Sequence, residues 1–282
     1  MSEQVVYLNG QFVPLSQAYV SVLDRGFIFG DGVYDVIPVY QRKMFRPGQH
    51  LARLARSLAT VAIENVHTNE QWLGIIENLI GKTQGNDLLV YIQVTRGVAP
   101  RAHAFPLNTQ PTVFMMVNAM SAPTQDMREH GVACVTLQDK RWLHCDIKSI
   151  SLLGNVLVAQ HAAQNGALEA IQFRDGFLTE ASASNVWIVK NNTLIGPKKN
   201  NLVLEGIRYG LFEEICAKHA IPLEIRVVTQ DEVFNADEVL LTSATKELLP
   251  VTLIDAKPVG LGKPGPMYAK LYALYQDAKT QH

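Results

Sequence analysis

The chain predicts a two-domain α+β protein. Three observations carry this. Strand-like and helix-like segments mix in the first third without strict alternation. The half beyond residue 124 is rich in strand patterns. A small, polar stretch at 118–124 that holds Pro123 separates the two. A doubly wound parallel sheet needs regular alternation of strand and helix, so it is disfavoured. The expected division is a smaller N-terminal domain over 1–118, a linker over 119–124 and a larger domain over 125–282. With 282 residues, 48% hydrophobic and 18% charged, the chain has enough apolar surface for a sizeable core.

The elements follow in order. Residues 5–8 and 11–13, split by Asn9-Gly10, predict a β-hairpin, because Asn-Gly supplies the positive φ of a tight turn. A second strand pair is expected at 33–40 and 43–46. Leu51, Leu54, Leu58 and Val61 recur at helical spacing and predict a helix over 50–63. Thr68 and Gln71 form a capping-box pattern opening a helix over 68–81. Strands are expected at 87–95 and 111–117. In the second half, strand patterns fall at 132–137, 170–173, 185–189, 193–196, 223–227 and 238–242. A helix over 151–164 is stopped by Asn165-Gly166, another over 206–219 ends before Pro222, and an amphipathic helix covers about 267–278.

Composition excludes several functions. The net charge is −1 and no basic patch stands out, which argues against nucleic acid or a membrane surface as partner. No apolar run reaches the ~18 residues of a membrane span. The N-terminus, MSEQVVYLNG, lacks a basic region followed by an apolar one, so no secretory signal is expected. Cys134, Cys145 and Cys216 are odd in number and widely spaced, as in a cytoplasmic protein with reduced thiols. The histidines show no metal-ligand spacing, and no metal is expected. The segment 260–265, GLGKPG, fits GxGxxG but contains Pro264 and precedes no βαβ unit. His144-Cys145-Asp146 cannot form a triad by adjacency, since neighbours on a strand point to opposite faces.

The chemistry concentrates in 146–185. Lys148 lies among Ile147, Ile150, Leu152 and Leu153. An amine among apolar neighbours is poorly solvated as a cation, which favours its neutral, nucleophilic form. Glu180 is expected in a turn with Thr179, Ser182, Ser184 and Asn185, whose donors can keep a carboxylate ionised. An amine able to form a Schiff base and an acid able to pair with a protonated ring nitrogen are what pyridoxal phosphate chemistry requires of a protein.

Seven segments recur in fixed order: Arg25–Asp35 (RGFIFGDGVYD), 49–54 (QHLARL), 95–103 (TRGVAPRAH), 146–149 (DIKS), 178–185 (LTEASASN), 204–208 (LEGIR) and 242–245 (TSAT). Together they resemble the class IV, fold type IV pyridoxal-phosphate aminotransferases, over roughly residues 5–255, and within them the D-amino acid transaminases. The resemblance implies a small α/β N-terminal domain, a larger β-barrel-like C-terminal domain and a cofactor between them. It makes Lys148 the Schiff-base lysine and proton carrier, and Glu180 the partner of the pyridine nitrogen. Arg53 matches the phosphate arginine. Ser184, Asn185, Leu204, Gly206, Ile207, Ser243 and Thr245 fall at further cofactor-binding positions. Two departures concern the phosphate: Arg208 and Ala244 stand where relatives often have threonine or a similar donor. Tyr34, Arg101 and His103 match a trap for the substrate α-carboxylate, with the Arg101/His103 loop supplied by the neighbouring subunit of a homodimer. The implied reaction is transfer of an amino group from a D-amino acid, with D-alanine and D-glutamate foremost, to 2-oxoglutarate or pyruvate. The alternatives are an aminodeoxychorismate-type lyase, a transaminase for branched-chain L-amino acids or (R)-amines, and a non-enzymatic binding barrel.

Overall fold

The computed structural model describes residues 3–280. Contacts within the chain define two units. One comprises the chain up to Ser121 together with Ile147–Leu152; the other comprises Ala122–Asp146 and the chain from Leu153 onward.

The first unit contains β1 (Val5–Leu8), β2 (Gln11–Pro14), a short α1 (Arg25–Phe29), β3 (Gly32–Tyr40), β4 (Lys43–Met44), α2 (Pro47–Thr60), α3 (Asn69–Lys82), β5 (Leu88–Thr95) and β6 (Thr112–Ala119). Its six strands form one antiparallel sheet in the order β2-β1-β6-β5-β3-β4. Strand alternation turns Val33, Ile37 and Val39 of β3 into the core, beside Val90, Ile92 and Val94 of β5. Helix α2 starts with Pro47 in its first turn, where a missing N–H costs nothing. It lays Leu51, Leu54 and Leu58 on that core, and α3 adds Trp72, Ile76 and Leu79. The expected capping box of α3 is present, with Thr68 and Gln71 bonded reciprocally.

The second unit contains α4 (Gln125–Glu129), β7 (Val132–Gln138), α5 (Leu153–Gln164), β8 (Glu169–Arg174), β9 (Phe177–Ala181), β10 (Asn185–Lys190), β11 (Thr193–Pro197), α6 (Ile207–Lys218), β12 (Leu223–Arg226), α7 (Gln230–Phe234), β13 (Glu238–Ser243), β14 (Glu247–Ile254), β15 (Lys257–Pro258) and α8 (Pro266–Thr280). The sheet order is β12-β11-β10-β13-β14-β7-β8-β9, with β15 beside β14. Pairs β11/β12, β7/β14 and β7/β8 are parallel and the rest antiparallel. The last strand, β9, comes back against β10 and β11, so the sheet curls into a half-barrel around Ile171, Val186, Val239, Leu241 and Val251. The mixed-sheet α+β architecture expected from the sequence is therefore present.

The structure corrects three local expectations. Strand β6 extends through Ala119, because Leu88 to Thr95 pair with it along its whole length. Strand β14 forms although Pro250 sits in it; Pro250 stands opposite Leu240 in a largely apolar, buried strand. Glu180 lies on β9 rather than in a turn; Asp175-Gly176 makes the hairpin turn and the small residues 182–184 the next one.

Ile76 is fully buried under the first sheet. Replacing it with alanine removes methylene groups and leaves a cavity, so Ile76→Ala should cost about 2–5 kcal/mol. A clear drop in urea midpoint is expected; an unchanged midpoint would contradict this core assignment.

Candidate active site

In the first unit, Lys148 is fixed through its main chain. Its carbonyl accepts a hydrogen bond from Tyr34 N–H at 2.9 Å, and Ile150 N–H donates to Gly32 C=O at 3.1 Å. Ser149 bridges Val33, and Ile147 packs against the sheet core. Segment 147–152 thus pairs with the start of β3. Gly30 and Gly32 are required there: a Cβ on Gly30 would lie 2.5 Å from Ser151 Oγ, and one on Gly32 would lie 2.7 Å from Val94 C=O. The result places Lys148 Nζ 4.1 Å from the centre of the Tyr34 ring, where a cation is attracted to the π face.

Arg53 is buried, whereas Arg56 one turn away on α2 is exposed. The Arg53 guanidinium forks onto Asp35, with Nε and Nη2 each 2.9 Å from a carboxylate oxygen, and His50 Nδ1 lies 2.7 Å from Oδ1. Asp35 is completely buried on β3. Burial pushes its carboxyl upward, but the charges of Arg53 and His50 outweigh that and hold it well below the usual carboxylate range.

The loop bearing Arg101 and His103 is pinned from α1. The Arg25 guanidinium donates to the carbonyls of Ala102 at 2.5 Å and His103 at 3.2 Å, and is itself paired with Asp31 at 2.7 Å. Arg101 lies over the Phe29 ring at 5.4 Å, and the His103 ring is 5.5 Å from the same ring. Both side chains are exposed.

In the second unit, Glu180, Asn185, Leu204, Gly206 and Ile207 come together. Glu180 Oε2 accepts from Leu204 N–H at 3.0 Å, and Asn185 Nδ2 donates to Leu204 C=O at 2.8 Å. Gly206 caps α6, and a Cβ there would collide with Asn185 Oδ1, so a side chain would have to displace the Asn185 amide. The first N–H groups of α6 have no partner within the helix and carry its positive end. The other Glu180 oxygen accepts from Arg141, a residue not anticipated from the sequence. The Arg141 guanidinium also donates twice to buried Asp139, which Arg174 joins at 3.1 Å. Burial raises the Asp139 carboxyl, but its bonds to Arg141 outweigh that and lower it to about 2.

Ser184 is turned differently from expectation: its hydroxyl donates to Glu169 at 2.8 Å. Ser243 Oγ accepts from Lys246 N–H at 3.0 Å, and Thr245 is exposed. Arg208 turns inward and is buried, with Nη2 near Ala244 C=O at 3.3 Å and Tyr275 Oη at 3.2 Å.

Residues 32–254 match the family model "Amino-transferase class IV". The chain belongs to the class IV aminotransferases. It is 38% identical over 273 residues to a D-alanine aminotransferase from Bacillus licheniformis, covering 97% of this chain and 96% of that protein. It is 39% identical over 278 residues to one from Staphylococcus aureus strain MSSA476, covering 98% of each. Among solved structures, a branched-chain aminotransferase from Thermoproteus uzoniensis with norvaline superposes with a TM-score of 0.89 at 23% identity, over 98% of this chain and 94% of that one. A fold IV-transaminase from Curtobacterium pusillum gives 0.80 at 22% identity, over 96% and 92%. These structures establish fold type IV for this aminotransferase.

The buried Asp35 makes acid stability testable. Its folded-state carboxyl is lowered, so its contribution is full above the unfolded value of ~4 and is lost as pH falls below that. Urea midpoints of the wild type should therefore drop between about pH 4 and pH 2, and Asp35→Asn should show a shallower fall. Parallel curves would show that Asp35 does not drive the acid limb.

Proposed function

We propose that this aminotransferase uses pyridoxal 5'-phosphate to move an amino group between a D-amino acid and a 2-oxo acid, D-alanine and D-glutamate being the foremost donors. The observation that carries the reading is Lys148, held by main-chain bonds to β3 with its amine over Tyr34. The D-amino acid class is supported by similarity to D-alanine aminotransferases along nearly the whole chain and by the loop with Arg101 and His103.

The residues present suit the cofactor. The positive end of α6 at Gly206-Ile207 and the guanidinium of Arg53 are each the kind of donor that a dianionic phosphate takes. Gly206 itself adds no side chain at that helix end, where a Cβ would press on Asn185 Oδ1. Glu180 is an acid matched to a protonated ring nitrogen. When bound, pyridoxal phosphate supplies an exchangeable carbonyl carbon and a protonated ring that withdraws electron density.

The chain's own groups do the rest. Lys148 Nζ is the amine that would hold the cofactor, and as a free amine it would carry the proton between the substrate's α-carbon and the cofactor carbon that takes up the nitrogen. Tyr34, in main-chain contact with Lys148, offers its phenol to the substrate. Arg101 binds the α-carboxylate through paired N–H donors, and His103 adds another donor. The Arg25 clamp limits how far these two residues can shift.

A homodimer belongs to the same proposal. Tyr19, Val22, Phe27 and Leu107 are large, apolar and strongly exposed in the first unit, and such surface is commonly covered by a partner. No helix among the described residues is long and apolar enough to cross a membrane.

A half-reaction tests the function. Holoenzyme mixed with D-alanine should lose its cofactor absorbance band, and L-leucine or an (R)-amine should change it far more slowly. Conversion with L-leucine but not D-alanine would sink the D-specific assignment. Release of pyruvate from aminodeoxychorismate without any amino acceptor would favour the lyase.

Arg101→Leu tests the carboxylate site. The apparent KM for D-alanine should rise at least about ten-fold, the cost of losing a charge-assisted contact, while bound-cofactor absorbance stays intact. Unchanged kinetics would reduce Arg101 to a surface loop residue.

A further inference from the structure

Glu169 opens β8 and is fully buried, yet its role follows from neither the motifs nor the proposed mechanism. A buried carboxylate is costly unless it is paired and hydrogen-bonded. Five donors surround this one. Ser182 contributes its N–H at 3.1 Å and its hydroxyl, Ala183 its N–H at 3.2 Å, Ser184 its hydroxyl at 2.8 Å, and Lys246 its ammonium at 2.8 Å. A carboxylate has about four lone-pair sites, so its accepting capacity is filled.

The donors belong to two turns. Residues 182–184 join β9 to β10, immediately after Glu180-Ala181 and immediately before Asn185. Lys246 closes the turn from β13 to β14, where its N–H also donates to Ser243. One carboxylate therefore ties the turn flanked by Glu180 and Asn185 to the turn carrying Ser243 and Thr245. Asn155 Nδ2 of α5 holds the first turn from another side, through Ser182 C=O at 2.8 Å. The small hydroxyl residues of 182–184 are engaged with Glu169 itself.

We infer that Glu169, paired with Lys246, is a positioning residue of this transaminase: it sets where Glu180 and Asn185 lie by binding two N–H groups and two hydroxyls of the intervening turn. This rests on the proposed role of Glu180 at the ring nitrogen. Glu169 touches no reacting group and acts through Glu180. A small displacement of a catalytic group reduces the chemical step far more than it reduces substrate binding at a separate carboxylate site.

The experiment compares Glu169→Gln, Ser182→Ala, Ser184→Ala and Glu180→Gln as holoenzymes. It follows kcat, KM for D-alanine, the cofactor's visible spectrum and thermal midpoint. Glutamine keeps the size of Glu169 but turns one acceptor into an NH2 group facing N–H and ammonium donors. Glu169→Gln should lower kcat by at least about ten-fold with KM within about two-fold, and should shift the visible spectrum in the direction that Glu180→Gln does. Each serine variant should follow the same pattern more weakly. If Glu180→Gln lowers kcat and Glu169→Gln does not, the inference fails while the function stands. If Glu169→Gln only lowers the thermal midpoint and the serine variants are silent, the carboxylate is merely structural and the inference also fails. If Glu180→Gln itself has no effect, the assignment of Glu180 falls and takes this inference with it.

Discussion

Hydrogen bonds between Ile147–Leu152 and the start of β3 hold the main chain of Lys148 in place. A lysine side chain is long and loses much rotamer freedom when ordered. Fixing its main chain to a strand of a packed sheet reduces the space it can sweep. The Tyr34 N–H bond to Lys148 C=O and the Val33–Ser149 bridge provide that fixing. The requirement propagates backward to Gly30 and Gly32, where a side chain would collide with Ser151 and β5. It also explains why an excursion of only six residues joins the first unit.

Three buried carboxylates, found in both units, each face two basic side chains rather than one. Asp35 faces Arg53 and His50, Asp139 faces Arg141 and Arg174, and Glu247 faces Arg128 and Lys279. Removing water from a single carboxylate is unfavourable by several kcal/mol, and several directed donors are needed to offset it. Glu180 is satisfied differently, with one cation, Arg141, on one oxygen and a backbone N–H on the other.

Much of the fold was legible because periodicity and turn chemistry are local. The Asn9-Gly10 hairpin, the Thr68 capping box and the Leu51/Leu54/Leu58 stripe all appear where their patterns place them. Strand β9 escaped because Thr179 to Ser184 are small and polar, which resembles a turn, although Asp175-Gly176 was a usable hairpin signal. Strand β14 was obscured by Pro250, a residue normally excluded from central strands. Site partners such as Arg141 and Glu169 were invisible for a different reason. Their contacts join residues far apart in the chain, and nothing in local spacing marks them. Asp35 carried a readable hint, a lone acid in the apolar run VYDVIPVY, but its partners on α2 required the fold.

Every role assigned to the site presumes that Lys148 is the amine that holds the cofactor. Reduction of the loaded protein with borohydride, followed by proteolysis and mass mapping, tests this directly. One pyridoxyl-phosphate adduct per chain is expected, on the peptide containing Lys148. An adduct on Lys246 or any other lysine, with Lys148 unmodified, would contradict it.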